Sequence, residues 1–370
     1  MPKTSSLIST VFIIGAGFSK CAGIPIQAEF SSLLLADEFS SELDKAITST
    51  LKDFLKDVFG WREGCTFPSL EDIFTCVDLS ASTGHHLSIK YTPKLLRAIR
   101  RMAIYRIFSV LDRHFYESPE IERLLSLYAS EPLSIAFVVL NWDIVLEKHL
   151  AAMIPPILPD YACQAFNWDP SQNCQRDNRM VPVCKMHGSS NWVYCENCKS
   201  IFYNLDKKLS LKAKVGLIKA DFRLFAENFT DSAFDSYLGI APEERQCRFC
   251  HNMISSHIAT FSYRKSFRTH AYSSIWYTAE KMLSDADHWV FVGYSLPKAD
   301  YELKHLLKVA ELRMRHRRQD RRLTMDVVVK GDSARPDYEA FFGKNTFTYW
   351  SDGLEGYVSS KSAIANHVHA

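Results

Sequence analysis

The sequence has no excess of charge of either sign and no long apolar run. Lysine and arginine together number 44, against 42 aspartates and glutamates, in 370 residues. The chain therefore lacks the basic field that drives non-specific binding to nucleic acid, and we expect no direct nucleic-acid partner. No apolar stretch approaches the roughly 18 residues that a transmembrane helix needs. Internal repeats and low-complexity tracts are also absent. We expect a cytoplasmic globular protein with no membrane partner.

What is present is an alternation of strand and helix patterns. Four segments are short, apolar and rich in β-branched residues, which predicts buried strands of a parallel sheet. These segments are residues 11–17, 135–143, 288–295 and 324–331. Helical patterns with one apolar face lie between them, at residues 94–111 and 301–314. This alternation predicts an α/β protein with a doubly wound parallel sheet.

The stretch between the second and third predicted strands lacks the alternation. We therefore predict a small inserted domain at residues 151–269, and a main α/β domain made of residues 1–150 and 270–356. Residues 357–370 are expected to form a C-terminal tail.

Four of the ten cysteines form two C-x-x-C pairs. They are Cys195, Cys198, Cys247 and Cys250. In a long chain whose other cysteines lie in apolar contexts, such pairs favour a metal site over disulfides. Four thiolates predict a structural Zn²⁺ site, because no coordination position stays open for water. The long segment between the pairs leaves two further ligands possible, His251 and Cys184, and four unrelated buried cysteines are the alternative.

The first predicted strand runs into a glycine-rich turn, VFIIGAGFSKCAGIP, at residues 11–25. Gly15 and Gly17 allow a tight turn, and Ser19 stands where a helix could begin. Such a turn presents backbone N–H groups to a phosphate or diphosphate. The pattern departs from G-x-G-x-x-G, because the third glycine is Gly23. Packing alone is the alternative reason for these glycines.

Polar residues follow the other predicted strands. Asn141 and Asp143 end the second strand in LNWD, and His187 ends a further strand just before a glycine. Ligands of open α/β sheets bind at the carboxyl ends of the strands. A strand-ending turn residue is the alternative for Asn141, and a structural histidine is the alternative for His187. Their convergence on one edge predicts a binding site, to which the last two strands contribute Gly293, Ser295 and Lys330.

In this order, these motifs resemble the sirtuin family, and more closely its bacterial sirtuin-like branch found in anti-phage defence. GAGFSKCAGIP is similar to the sirtuin GAG-x-S-x-x-x-GIP loop, LNWD to its Thr-Gln-Asn-x-Asp strand end, and KMHGS to its His-Gly element. The spacing from His187 to Cys195 and Cys198 is also similar to the spacing in the family. VGYSLPKADYELKHLL resembles the GYSLP-x-x-D pattern of the defence branch, as PSLEDIFTCVD resembles another of its segments. The resemblance covers roughly residues 11–356.

The resemblance implies a Rossmann-like domain that binds NAD⁺ as substrate, together with a small zinc-bearing module. It implies that His187 is a general base, that Asn141 orients water or the ribose, and that Asp143 supports the nicotinamide pocket. The residues expected to bind NAD⁺ are Gly15, Ala16, Gly17, Ser19, Gly23, Ile24, Pro25, Asn141, Asp143, Gly293, Ser295 and Lys330.

One departure from the family bears on the reaction. Sirtuins that deacylate proteins follow GIP with Asp-Phe-Arg, whereas this chain has Ile26, Gln27 and Ala28. This departure argues against deacylation, and the resemblance to the defence branch implies hydrolysis of NAD⁺ to nicotinamide and ADP-ribose, in an enzyme that depletes NAD⁺ during phage infection. An NAD-dependent protein-lysine deacylase and a non-catalytic NAD or ADP-ribose sensor are the alternatives.

The resemblance also implies assembly. We expect a homo-oligomer, and a partner defence protein such as a ring-forming ATPase. The arginine-rich run at residues 313–322 is either a solvated helix end or a partner surface.

Overall fold

The computed structural model describes residues 8–36, 41–169, 179–205, 216–223, 246–258, 270–317 and 322–368, with Thr230, Ser232 and Phe234. The strands are β1 (Thr10–Ile14), β2 (Ile135–Val139), β3 (Ile157–Asp160), β4 (Ala165–Asn167), β5 (Arg179–Lys185), β6 (Gly188–Cys195), β7 (Ile201–Tyr203), β8 (Ile254–Ile258), β9 (His288–Val292), β10 (Thr324–Val328) and β11 (Thr348–Trp350). The helices are α1 (Ala16–Lys20), α2 (Gln27–Leu33), α3 (Glu42–Phe59), α4 (Leu70–Thr83), α5 (Pro93–His114), α6 (Pro119–Ser126), α7 (Val145–Ala152), α8 (Lys219–Phe222), α9 (His270–Asp285), α10 (Tyr301–Arg317), α11 (Arg335–Phe342) and α12 (Gly353–Val368).

Seven strands form one sheet in the order β11-β10-β9-β1-β2-β5-β3. Every neighbouring pair in it is parallel. The chain passes from β1 to β2 on one side, and later strands return to the other side of β1 at β9. The strand order thus reverses at β1, as in doubly wound folds. The predicted α/β class and parallel sheet are confirmed.

All four predicted strands are present, but each ends earlier than its sequence pattern. They stop at Ile14, Val139, Val292 and Val328, where the buried apolar run gives way to glycine or polar residues. β1 and β2 are buried along their whole length. These two strands need apolar residues at every position, because both of their faces are covered.

The two predicted helices are also present, as α5 and α10. Thr92 begins α5 by accepting the Leu95 N–H at its Oγ1, 3.3 Å away, and Pro93 occupies the first helical position. The predicted apolar faces of both helices are buried. Across the described helices, none combines the length and the apolar character that crossing a membrane requires.

A second, four-stranded sheet has the order β4-β7-β6-β8. Its strand β6 starts directly after β5, across a turn in which Gly188 has a φ of +83°. Val193, Cys195, Phe202, Cys247 and Ile254 form a separate small core there. This sheet therefore carries the cysteine pairs and lies next in the chain to the end of β5.

The predicted insertion, residues 151–269, includes β3 and β5, and both strands pair within the seven-stranded sheet. The division of the chain into domains at these bounds stays a prediction. Residues 357–368 of the expected C-terminal tail are helical, as part of α12. Tyr357 and Val358 are fully buried, so the start of that segment belongs to the core.

Candidate functional site

A cavity of about 840 Å³ lies at the carboxyl ends of the central strands. Small-molecule sites typically enclose about 300–1,000 Å³. The structure brings most of the predicted site residues together in its wall. Those that line it are Gly15, Ala16, Gly17, Ile24, Pro25, Asn141, Asp143, His187, Gly293, Ser295 and Lys330. Ser19 and Gly23, which were also predicted, do not line the cavity.

The glycine-rich turn packs against the loop that follows β9. The Gly15 N–H donates to Val292 O at 3.0 Å, and the Gly17 N–H donates to Gly293 O at 2.8 Å. A Cβ on Gly15 would lie 2.6 Å from Gly293 O, and one on Gly17 would lie 2.8 Å from Gly293 Cα. These glycines are therefore required where two backbones cross. The Gly17 N–H and the place of its missing side chain both face Gly293, which agrees with the packing alternative, while its expected contact with NAD⁺ stays a prediction.

Ser19 links Asn141 to Asp143. The Asn141 Nδ2 donates to Gly15 O and to Ser19 Oγ, each at 3.0 Å. The Ser19 hydroxyl donates to Asp143 Oδ1 at 2.9 Å, and the same oxygen accepts the Val145 N–H at 3.1 Å. Ser19 is only 1% exposed. This network fixes the glycine turn to the end of β2 and sets the orientation of the Asn141 amide.

His187 is held by the end of β2. Its Nδ1 lies 3.2 Å from Leu140 O, and the adjacent Met186 N–H donates to Val139 O at 2.9 Å. Because a carbonyl oxygen can only accept, Nδ1 carries the proton of the neutral ring and Nε2 is the basic nitrogen. The side chain is 8% exposed and lines the cavity. An imidazole with a fixed tautomer in a cleft suits proton transfer.

The segment after the glycine turn passes directly into a helix. Gly23 has a φ of +79°, and a Cβ there would lie 2.4 Å from His114 O, so this glycine serves the turn itself. The Ile26 N–H donates to Glu29 Oε2 at 3.0 Å, and Lys20 pairs with the same carboxylate. α2 therefore begins immediately after Ile26, whose side chain lines the cavity.

Several acidic residues of the wall were missed by the sequence analysis. They are Glu71, Glu120, Asp300, Asp352 and Glu355. Asp352 and Glu355 follow β11, so the strand-end rule would have found them had that strand been recognised. Glu71 and Glu120 stand in the first turns of α4 and α6, where the only sequence signal is the serine that begins each helix.

Cys21 also lines the cavity. Burial, assisted by the nearby Glu120 carboxylate, raises the pKa of its thiol. A thiol with a raised pKa stays protonated at neutral pH and is a poor nucleophile. Cys21 is therefore not expected to act as a nucleophile in this cavity.

The four paired cysteines converge in the small sheet. One sulfur from each of Cys195, Cys198, Cys247 and Cys250 lies within 4.8 Å of the others. The Sγ atoms of Cys195 and Cys250 are 3.4 Å apart, and those of Cys198 and Cys247 are 3.5 Å apart. Tetrahedral zinc with Zn–S bonds of about 2.3 Å separates its sulfurs by roughly 3.8 Å. The donor set and its spacing fit the predicted structural Zn²⁺.

The two cysteine pairs adopt the same backbone turn. The Lys199 N–H donates to Cys195 O at 2.9 Å, and the His251 N–H donates to Cys247 O at 2.8 Å. Both donors have left-handed backbones, with φ values of +64° and +58°. His251 thus occupies the position of Lys199, is exposed and lies outside the sulfur cluster. Cys184 lies in β5, in the main core. Neither alternative ligand is needed.

No protein-family model and no curated protein matches the chain. Solved structures with a similar chain path include Sir2 proteins. A Sir2–p53 peptide–NAD⁺ complex is 12% identical, with a TM-score of 0.45, over 97% of this chain and 93% of that chain. Sir2 bound to an acetylated peptide is 13% identical, with a TM-score of 0.43, over the same shares. Such low identity concerns the fold alone, so function must be argued from the site.

Proposed function

We propose that this protein is an NAD⁺ hydrolase that releases nicotinamide and ADP-ribose. The observation that carries the proposal is the convergence of Asn141 and His187, from the ends of two neighbouring strands, on one cavity of about 840 Å³. The cavity lies where the strand order reverses, which is where parallel sheets bind dinucleotides. Its volume is in the range of small-molecule sites.

The reaction makes modest chemical demands. The bond between ribose C1′ and the nicotinamide nitrogen breaks, and its electron pair leaves with nicotinamide as a neutral ring. The ribose passes through an oxocarbenium-like state of the kind found in glycoside hydrolysis. The oxygen of a water molecule bonds to C1′, and the proton that this water loses passes to His187 Nε2. The protein must therefore hold the ribose, place the water and accept one proton.

The network around Asn141 supports its role. Because the Asn141 Nδ2 donates to Gly15 O and Ser19 Oγ, the amide orientation is set before any ligand binds. We assign its Oδ1 to the attacking water or a ribose hydroxyl. We assign Asp143 to the support of the nicotinamide pocket, through the Ser19 contact that keeps the glycine turn in place. Ser295 and Lys330 are assigned to the phosphate and adenosine side.

Water is the proposed acceptor because of the segment after Pro25. Ile26, at the start of α2, presents an apolar side chain to the cavity, where protein-deacylating sirtuins have the acidic residue of Asp-Phe-Arg. We propose in addition that the enzyme depletes NAD⁺ during phage infection, as a homo-oligomer with a partner defence protein such as a ring-forming ATPase. This biological role rests on the resemblance of GYSLPKAD to the defence branch.

The test is to incubate purified protein with NAD⁺ over a range of protein concentrations, with and without an acetyl-lysine peptide. Chromatography should show nicotinamide and ADP-ribose in equal amounts without peptide, and His187→Ala should abolish both. Turnover that strictly requires the peptide would replace the proposal with a deacylase. Binding of NAD⁺ without turnover at every concentration would replace it with a sensor.

A further inference from the structure

A buried ion pair lies next to the ends of β2 and β5, which are followed by the proposed catalytic residues Asn141 and His187. Lys185 is the last residue of β5, and Glu147 lies in the first turn of α7. Both side chains are 0% exposed, and Lys185 Nζ is 3.3 Å from Glu147 Oε1. The same ammonium donates a hydrogen bond to the backbone carbonyl of Asp143. The Lys185 ammonium thus contacts both helix α7 and the loop that follows β2.

Stability alone does not account for this pair. Removing two charges from water is costly, and well-packed apolar residues of similar volume often serve a core equally well or better. Burial raises the pKa of Glu147, and the Lys185 ammonium opposes that rise. The reason for keeping such a pair must therefore be sought in its position.

The position is the junction between β2 and β5. At the ends of β2 and β5 and just beyond them, four contacts join the two chain segments. Two of them are made by backbone N–H groups, from Met186 to Val139 O and from Ser190 to Trp142 O. The other two are made by side chains, His187 Nδ1 with Leu140 O and Lys185 Nζ with Asp143 O. The lysine holds the carbonyl of Asp143, and the His187 ring contacts the carbonyl of Leu140 in the same chain segment after β2.

We propose that Lys185 is a positioning residue for the reaction, with Glu147 holding its ammonium in place. Lys185 does not line the cavity, so it acts through the Asp143 carbonyl on the relative placement of the β2 and β5 ends. The inference rests on the proposed function. A misplacement of catalytic groups by a fraction of an ångström to 1 Å lowers the rate of the chemical step by up to ~100-fold while leaving remote binding contacts intact. The loss therefore falls on kcat and not on KM.

The chain offers a matched control in a second buried ion pair. Arg106 is 0% exposed and pairs with Asp44 at 3.2 Å, and it also donates to a backbone carbonyl, that of Asp44. Neither residue lines the cavity. The experiment compares the full-length protein with the double variants Lys185→Met/Glu147→Leu and Arg106→Met/Asp44→Leu. Replacing both partners leaves no buried charge unpaired, so both variants should fold.

In NAD⁺ hydrolysis, the Lys185/Glu147 double variant should lose at least ~10-fold in kcat with less than ~3-fold change in KM. The Arg106/Asp44 double variant should stay within ~3-fold of the wild type in both constants. A kcat within 3-fold of the wild type in the folded Lys185/Glu147 variant overturns the inference, as does an equal loss in both variants.

A second measurement does not depend on activity. Nitrogen NMR of the histidine rings, with His187 assigned by His187→Gln, should show a protonated Nδ1 in the wild type and in the Arg106/Asp44 variant. In the Lys185/Glu147 variant the two tautomers of His187 should become mixed. An unchanged His187 tautomer overturns the positioning role. If the wild type does not hydrolyse NAD⁺, the proposed function fails, and this comparison alone decides whether Lys185 positions His187.

Discussion

Both amide hydrogens of Asn141 and the Nδ1 proton of His187 are engaged by the protein itself. These contacts fix the orientation of both side chains, as the proposed roles in orienting water and accepting its proton require. We expect His187→Ala and Asn141→Ala each to lower NAD⁺ turnover by at least ~100-fold, the scale of losing a positioned proton-transfer group. The measurement is kcat by nicotinamide release.

The melting temperature of each variant serves as the control, because neither change removes a large apolar contact. Near wild-type turnover in a folded variant would remove that residue from the mechanism. Loss of turnover together with loss of the cooperative melt would instead assign the residue to the fold.

Gly17 belongs to the same turn, but its substitution should act on stability. A Cβ there would lie 2.8 Å from Gly293 Cα, a backbone atom that cannot move aside cheaply. Gly17→Val should therefore lower the free energy of unfolding by about 1–3 kcal/mol, the usual range for overpacking. Urea unfolding measures this loss. NAD⁺ binding lost at unchanged stability would show that the residue faces the ligand after all.

At the scale of elements, the two cysteine turns should fold as one unit around the metal. Freshly purified protein should contain about one zinc per chain, and Cys198→Ser should lower both the zinc content and the melting temperature, because a structural site contributes to folding directly. Cys65, which is exposed and outside the cluster, provides the matched control Cys65→Ser. Zinc-free wild-type protein, or an equal effect of both substitutions, would contradict the site.

The sequence was most informative where an element is buried on both faces. β2 is a continuous apolar run, β1 and β9 are apolar after their first residue, and β10 is apolar apart from Thr324 and Asp326, as expected of parallel strands covered on both faces. β11 could not be found in this way, because it has three residues and begins with a threonine that is exposed. The short β3, which ends in Pro159 and Asp160, carries no strand signal either.

The residues of the cavity also divide into those with a local sequence signal and those without one. Asn141, His187 and Ser295 stand directly after strands, so the strand-end rule located them. Glu120 reaches the wall through the packing of α6, which no local pattern encodes. The purpose of the Gly15 and Gly17 turn was ambiguous for the same reason, since the backbone that it meets lies far away in the sequence.

At the scale of the whole molecule, Asp326 joins the last third of the chain to the sheet. It lies on β10 and accepts hydrogen bonds from His288 Nε2 and Trp350 Nε1, each at 3.0 Å, and from the Tyr357 hydroxyl at 3.3 Å. Lys361 Nζ is 3.2 Å from the same carboxylate. Burial opposes ionisation, but the hydrogen bonds and the charges of Lys361 and His288 outweigh it and lower the pKa of Asp326 to about 2.

This shift predicts a pH dependence of stability. The folded-state pKa lies below the ordinary value of 3.8, so the contribution is complete above that value and is lost as the pH falls towards 2. The free energy of unfolding should therefore decrease through this window in the wild type. Asp326→Asn should lower it by roughly 2 kcal/mol at neutral pH and flatten the acid decline. The measurement is the free energy of unfolding by urea at a series of pH values. If this free energy falls equally steeply with decreasing pH in the wild type and in Asp326→Asn, the lowered pKa of Asp326 is contradicted.

The order of strands in the sheet bears on when the molecule can act during its own synthesis. β1 ends at Ile14, yet one of its two neighbours is β9, which begins only at His288. Gly293 must arrive to complete the Gly15 turn, and Lys330 and Leu354 complete the wall. During synthesis, β1 therefore lacks one of its neighbours until β9 has been made, and the cavity wall is incomplete until Leu354 has been made. On the proposed function, chains that end before this segment are expected to leave NAD⁺ intact.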